Sequence, residues 1–330
     1  MKALVYTDTN EVTYRDEPDP VLAANEVLLR IDAVGICGSD MHAYHGRDPR
    51  RVPPLILGHE LAGSVIAGPG IGKRYTANPL ITCGWCEYCV QGRNNLCANR
   101  TMVGMTRPGA FAECMSIPTS CLIAIPEDMS AVTAALAEPA ATALHALNLS
   151  MRALHRPLPE CSLLIIGAGA IGMLAALLAR SYGCHAVRVA ETNALRRASL
   201  EKHAGCRAFD PIAGNPVPDN SIDLVIDAVG SKATRCVALA AVKSGGVIMH
   251  VGLQDWASEI DMRKLTLAEI TLLGTYTYST ADLHATVAAL QRGAFGDLGW
   301  VEQRPLADGA RAFDDLHWGK SASAKIVLQP

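Results

Sequence analysis

The first residues in this chain that ask for a metal are four cysteines in one short stretch. Cys83, Cys86, Cys89 and Cys97 stand as C-x2-C-x2-C-x7-C. Four thiolates at that spacing can close a tetrahedron around Zn2+, with Zn–S bonds of about 2.3 Å. Four cysteines also suit an iron–sulfur cluster, the alternative reading of this spacing. A closed four-sulfur site leaves no position for substrate, so its expected role is structural.

A second set of donors is scattered over three segments. Cys37 lies in Gly35-Ile36-Cys37-Gly38-Ser39-Asp40-Met41-His42, His59 and Glu60 in Leu57-Gly58-His59-Glu60, and Glu138 in Ala137-Glu138-Pro139. A thiolate, an imidazole and a carboxylate are the donor types of a catalytic zinc, which keeps one position open for water or substrate. Glu60 and Glu138 both qualify as the carboxylate. Each segment alone is weak, since Gly-His-Glu is more often an ordinary turn.

The third piece is a glycine turn. Ser162–Ile166 reads as a strand that runs into Gly167-Ala168-Gly169-Ala170-Ile171-Gly172 and then a helix, and the acid Glu191 follows 19 residues after Gly172. That strand–turn–helix context is what gives G-x-G-x-x-G its meaning. Gly167 makes the turn, Gly169 admits the pyrophosphate, Gly172 lets helix and strand pack closely, and the helix N-terminus favours the negative charge. Glu191 suits the adenosine ribose hydroxyls and repels a 2′-phosphate, which predicts NAD over NADP. Arg196, with Arg188 and Arg197 nearby, softens that preference. Val251, Gly252 and Thr275 end strands where a nicotinamide carboxamide would lie.

Taken in order, Cys37-Gly38-Ser39-Asp40-x-His42, Gly58-His59-Glu60, the cysteine lobe, Glu138-Pro139 and the glycine turn resemble the zinc-containing medium-chain dehydrogenase/reductases over essentially the whole chain. Cys-Gly-Ser-Asp together with Glu-Pro is most similar to the sorbitol, polyol and threonine dehydrogenase branch; ethanol-type relatives commonly carry a cysteine where Glu138 stands. The resemblance implies a mainly β, GroES-like catalytic domain over residues 1–148 with a structural zinc lobe (83–97), a Rossmann domain over 149–281, and a return of 282–330 to the catalytic domain. It also implies two zincs per chain. Cys37, His59 and Glu60 would bind the catalytic one, with Glu138 a fourth ligand or the holder of zinc-bound water. Ser39 and His42 match proton-relay positions, and Thr142 a residue packed near the nicotinamide. The expected reaction is reversible oxidation of a secondary alcohol, a polyol or sugar alcohol. A threonine-type or simple alcohol dehydrogenase is the alternative, and a non-catalytic nucleotide-binding protein the distant one. Tyr44 and His45, in an expected loop after the relay, are placed within reach of substrate hydroxyls.

The elements that must carry these groups form an α/β protein. Residues 1 to about 125 read as short strands joined by Gly/Pro turns, and Ser130–Leu149 as a helix. From 161 the pattern alternates. Strands are expected at Ser162–Ile166, Ala186–Ala190, Leu224–Asp227, Gly246–Val251 and Ile270–Gly274, with helices between them, which implies a doubly wound parallel sheet. A helix Thr280–Arg292 and a closing strand Ala324–Leu328 complete the chain.

Composition agrees. Of 330 residues, 50% are hydrophobic and 18% charged, enough apolar material for two cores. Lys and Arg number 29 against 32 Asp and Glu, so no basic excess points to nucleic acid or an anionic membrane. No signal peptide and no span of about 18 apolar residues is evident, and a cytoplasmic protein is expected. The six other cysteines (Cys114, Cys121, Cys161, Cys184, Cys206, Cys236) read as buried small hydrophobes. A homotetramer or homodimer is expected from the resemblance.

Overall fold

The structure, a computed structural model, describes residues 1–330. Six parallel strands form the nucleotide sheet: Leu163–Ile166, Val187–Ala190, Arg207–Phe209, Ile222–Asp227, Val242–His250 and Thr271–Gly274. Numbered along the chain they lie side by side as 3-2-1-4-5-6. The order reverses between the first strand and the fourth, and the crevice outside their carboxyl ends is where such sheets take a ligand. The strand Arg207–Phe209 was not expected. It is three residues long, too short for a period-2 pattern to register. The first strand is buried at every position, as a strand covered by helices on both faces must be.

The second sheet places the chemistry. Strand Glu26–Gly35 pairs with Glu60–Ala67 and with Lys325–Gln329, all antiparallel, in a register that sets Gly35 opposite both Glu60 and Val327. Cys37, Glu60 and Lys325 therefore arrive at one end of the sheet from three distant parts of the sequence. Val301–Pro305 extends the sheet beyond Lys325–Gln329. That strand and the helix Gly309–His317 were absent from the sequence expectation. Glu302 and Arg304, which pair with each other, make the strand read as polar surface.

Two further expectations need correction. Tyr44 is not in a loop. It ends the helix Gly38–Tyr44, is buried, and packs on Phe313 at 5.4 Å between ring centroids. His45 turns outward to His317, Nε2 to Nδ1 at 2.8 Å. Neither lines the cleft: Tyr44 packs inward on Phe313, and His45, the residue that caps the helix, is held by His317. Among the scattered cysteines, Cys121, Cys161, Cys184 and Cys206 are buried, but Cys114 is half-buried and Cys236, on the outer face of helix Lys232–Ala241, is exposed.

The helix Ala137–Ala153 carries Glu138 and Thr142 at its start, and helix Thr280–Gln291 packs beside it. Asp282 joins the two. It accepts from Ser279 Oγ at the cap, from Asn148 Nδ2 at 2.9 Å, and pairs with His145 Nδ1 at 2.8 Å. Burial pushes the Asp282 carboxyl up, but the bonds from His145 and Ser279 outweigh it and hold the pKa down to about 2, below the ordinary 3.8. A depressed folded pKa adds stability above about pH 4, lost as the pH falls toward 2. Asp282→Ala is expected to lose about 1–2 kcal/mol at pH 7 in urea unfolding, discounted for the group's partial exposure. The gap between variant and parent should close near pH 2.

Candidate active site and zinc lobe

One cavity of about 240 Å3 lies between the sheets. Its walls bring together Cys37, Ser39, His42, His59, Glu60, Glu138 and Thr142 from one side with Ile171, Val251, Gly252 and Thr275 from the other. These are the residues the sequence selected, drawn from segments more than 200 residues apart.

His59 is buried, with Asp40 behind it: Asp40 Oδ1 lies 3.4 Å from Nδ1, an ionic separation rather than an aligned hydrogen bond. A carboxylate on the far nitrogen fixes an imidazole's orientation and raises its basicity, as in metal-ligating histidines. Nε2 faces the cavity, 3.4 Å from Ser39 Oγ. Burial disfavours a charged His59, yet Asp40 and Cys37 hold its pKa well above the ordinary value. An imidazole so strongly drawn to a cation beside a thiol is a donor set that suits Zn2+ in place of the proton.

Glu60 behaves differently from the reading made of its sequence. Lys325 Nζ bonds both of its carboxylate oxygens at 2.6 Å and also Ile36 O at 2.7 Å, and both side chains are fully buried. Gly35 is required here: a Cβ on it would stand 2.1 Å from Glu60 Oε2. With Glu60 held by Lys325, the carboxylate left facing the thiol and imidazole is Glu138. Tyr278, wholly buried, donates its hydroxyl to Glu138 Oε1 at 2.9 Å. Burial, with Glu60 nearby, pushes Glu138 up to about 7 against the opposing pull of His59, Tyr278 and Lys325. A carboxyl poised near neutrality in a cleft marks a functional position. Lys325, Tyr278, Asp40 and Arg51, whose Nη2 lies 3.3 Å from Ser39 Oγ, were not singled out from sequence. Lys325, Tyr278 and Arg51 stand in no spaced motif. The only signals were an isolated lysine opening an apolar strand and an aspartate inside the relay motif.

The lobe sulfurs lie within 4.8 Å of one another, Cys83–Cys89 at 3.9 Å and Cys83–Cys97 at 3.5 Å. A tetrahedron with Zn–S near 2.3 Å needs edges of about 3.8 Å, so the four fit a zinc. It is the one cluster of three or more donors gathered this closely; the cleft donors stand further apart, with Glu60 drawn to Lys325. Bonds from the Trp85 and Cys86 amides help lower Cys83 to about 6, toward the thiolate a metal requires. The lobe also grips the cavity wall, Asn95 Nδ2 donating to Tyr276 O at 2.9 Å and Asn94 Nδ2 to Thr280 Oγ1 at 2.8 Å.

The nucleotide side fits a dinucleotide. Gly167 has φ +96°, and a Cβ on Gly172 would sit 1.8 Å from Gly167 O, so only glycine lets the helix Ala170–Ser181 start there. Nothing lies within 4 Å of a Cβ placed on Gly169, its backbone being open to a ligand. Glu191 is buried and accepts from the Ala168 amide at 2.7 Å and the Asn193 amide at 2.8 Å. Arg196 Nε nearby is buried without a partner, as are the Thr275 and Thr277 hydroxyls at the other end of the cleft. Unsatisfied buried hydroxyls are rare and costly, and the amide of a nicotinamide would satisfy them.

A doubly wound sheet with a pyrophosphate turn, facing a cleft built from thiolate, imidazole and carboxylate, defines a nucleotide-dependent metallo-dehydrogenase. Residues 23–127 match the alcohol dehydrogenase GroES-like domain and residues 170–292 the zinc-binding dehydrogenase domain. The chain belongs to the zinc-containing medium-chain dehydrogenase/reductase family and is a zinc-dependent, NAD(P)-linked dehydrogenase. It is 30% identical to an L-threonine 3-dehydrogenase of Salmonella gallinarum, with 99% of each chain covered. It is 32% identical to one of Chelativorans sp., covering 99% of this chain and 98% of that one. Among solved structures it is similar to acetophenone reductase from Geotrichum candidum in complex with NAD (28% identity, TM-score 0.89, 100% and 97% covered). A zinc-binding dehydrogenase from Sinorhizobium meliloti bound to NADP is also similar (28%, TM-score 0.87, 100% and 99% covered).

Proposed function

We propose that this dehydrogenase interconverts a secondary alcohol of the polyol or sugar-alcohol type and its ketone, with NAD preferred to NADP. The observation that carries the reading is the shared cavity, whose walls hold Ser39 and His42 together with the candidate zinc donors and the residues at the nicotinamide end of the sheet. Cys37, His59 and Glu138 would hold the catalytic zinc, Glu60 serving through Lys325, and Cys83, Cys86, Cys89 and Cys97 the structural one. Bound there, zinc would act as the Lewis acid that makes the substrate hydroxyl acidic at neutral pH.

The chain's own residues handle the proton. Ser39 Oγ accepts from the Arg51 guanidinium, so its own hydrogen stays free to be passed on. Burial, and Arg47 beside it, hold His42 below the ordinary pKa, leaving a neutral imidazole able to receive that proton. Thr142, Val251, Gly252 and Thr275 would orient the nicotinamide. Gly167, Gly169, Ala170, Ile171 and Gly172 would take the pyrophosphate, and Glu191 the adenosine ribose. The unpartnered Arg196 supports a secondary use of NADP.

The domain division follows the same reading: residues 1–148 and 282–330 as the catalytic body, 149–281 as the nucleotide domain. No helix is long and apolar enough to cross a membrane. No cysteine is paired in a disulfide, and a cytoplasmic setting is part of the proposal. Leu253, Trp256, Met262, Leu267 and Leu272 are exposed around the open edge strand Thr271–Gly274, which supports a homo-oligomer.

Threonine oxidation is the second reading, favoured by the L-threonine 3-dehydrogenases among the relatives. A panel of alditols, L-threonine and butane-2,3-diol with NAD and NADP, followed at the nicotinamide absorbance, decides between them. The polyol reading requires kcat/KM on an alditol or its derivative at least about tenfold above L-threonine. The reverse order would sink it.

A further inference from the structure

We propose that the substrate carries an anionic group, a carboxylate or a phosphate, which Arg50 receives at the cavity mouth. This inference rests on the polyol reading above and narrows it to sugar acids or polyol phosphates.

The loop after helix Gly38–Tyr44 sets Asp48, Arg50 and Arg51 together. Asp48 accepts from Arg50 Nε at 2.8 Å and Nη2 at 3.0 Å, and from Arg51 Nη1 at 2.6 Å. One carboxylate thus faces two guanidiniums, and one positive charge is left over. Arg51 is fully buried and committed to Asp48, Gly104 O and Ser39 Oγ. Arg50 is not. Its side chain is 57% exposed, Nη1 has no protein partner, and it lines the cavity with Ser39 and His42. An arginine fork with a free edge is the group best suited to a carboxylate or phosphate.

The cofactor does not account for this charge. Its pyrophosphate belongs at the turn after strand Leu163–Ile166. Arg50 shares the cavity wall with Leu253, Tyr276 and Thr277, which follow the fifth and sixth strands, whereas Glu191 follows the second; of the glycine turn only Ile171 lines this cavity. Most acids of this wall are already engaged: Lys325 takes both oxygens of Glu60, Tyr278 donates to one oxygen of Glu138, and two arginines cover Asp48, while Asp255 at the mouth accepts only from the Lys232 amide at 2.7 Å. An anionic polyol would find its counter-charge in Arg50, on the same cavity wall as Ser39. The anionic group itself is unchanged in the reaction. With the dinucleotide bound, it would supply the hydride acceptor for the carbinol carbon, Ser39 would take the hydroxyl proton, and the ketone would retain the anion.

The test uses the zinc-loaded enzyme with sorbitol, gluconate, sorbitol 6-phosphate and L-threonine. Wild type is expected to favour gluconate or sorbitol 6-phosphate over sorbitol by at least about tenfold in kcat/KM, and these two arms tell carboxylate from phosphate. Arg50→Gln should lower kcat/KM for the favoured anion by about tenfold to a hundredfold, mainly through KM, the range of one charge-assisted hydrogen bond. The loss on sorbitol should be at least about tenfold smaller, and Arg50→Lys should recover part of it. Equal losses on charged and neutral polyols, a larger change in the KM for NAD, or a wild-type preference for sorbitol or L-threonine would overturn the inference. Binding of gluconate and sorbitol 6-phosphate to the NADH complex, read by nicotinamide fluorescence, separates the two claims. Arg50-dependent binding without turnover would refute the polyol reading alone, and absence of Arg50-dependent binding would refute this one.

Discussion

A His59→Ala variant is expected to lose one of the two zinc equivalents proposed per chain and at least about a thousandfold in kcat/KM. The imidazole is buried, aimed by Asp40 and directed at Ser39. Lewis-acid stabilisation of a developing alkoxide is worth several kcal/mol, and about 4 kcal/mol is a thousandfold in rate. Cys37→Ser should behave similarly while keeping a small polar side chain, and Asp40→Asn should cost only about tenfold to a hundredfold, the usual effect of removing a ligand's support. Elemental analysis and steady-state kinetics check this, with circular dichroism to establish that each variant is folded. Two zincs and parental activity in folded His59→Ala would remove the cleft from the metal chemistry altogether.

Lys325→Ala should be the most destabilising single substitution at the site. It leaves Glu60 ionised, buried and unpaired among Gly35, Ile36 and the cavity floor. Breaking one side of a buried pair costs about 3–5 kcal/mol, whereas replacing both partners with apolar groups is often neutral. Urea unfolding should therefore show Lys325→Ala about 3–5 kcal/mol less stable than the parent, and Glu60→Leu/Lys325→Met much closer to it. If the single variant loses less than about 1 kcal/mol, the pair carries little of the local stability and Glu60 is free to serve the metal directly. The measurement thus also decides between Glu60 and Glu138 as the carboxylate ligand.

Much of this molecule was legible before any coordinates, for identifiable reasons. The five expected strands of the nucleotide sheet fall within a few residues of those observed, because short apolar runs alternating with helical patterns have few other readings. The glycine turn was legible because Gly167 and Gly172 answer to demands that no other residue meets, a φ of +96° and a clearance of 1.8 Å, while Gly169 leaves room for a ligand. The cysteine lobe was legible because its ligands are local: fifteen residues contain the whole coordination set. The strand Val301–Pro305 and helix Gly309–His317 were missed because the strand carries charges along an otherwise ordinary pattern, and its partner in the sheet had to be known first.

The sequence by itself determined which side chains are chemically able to act: the thiols, His59, the two glutamates, Ser39 and His42, and the glycines that admit a pyrophosphate. Only the tertiary structure decided how those groups are shared out. Lys325 reaches Glu60 across 265 residues, Tyr278 reaches Glu138 across 140, and Arg51 reaches Ser39 through a folded loop. The reason is that a side chain's type is a local property, whereas its partner, its burial and therefore its charge state depend on which distant strands end beside it.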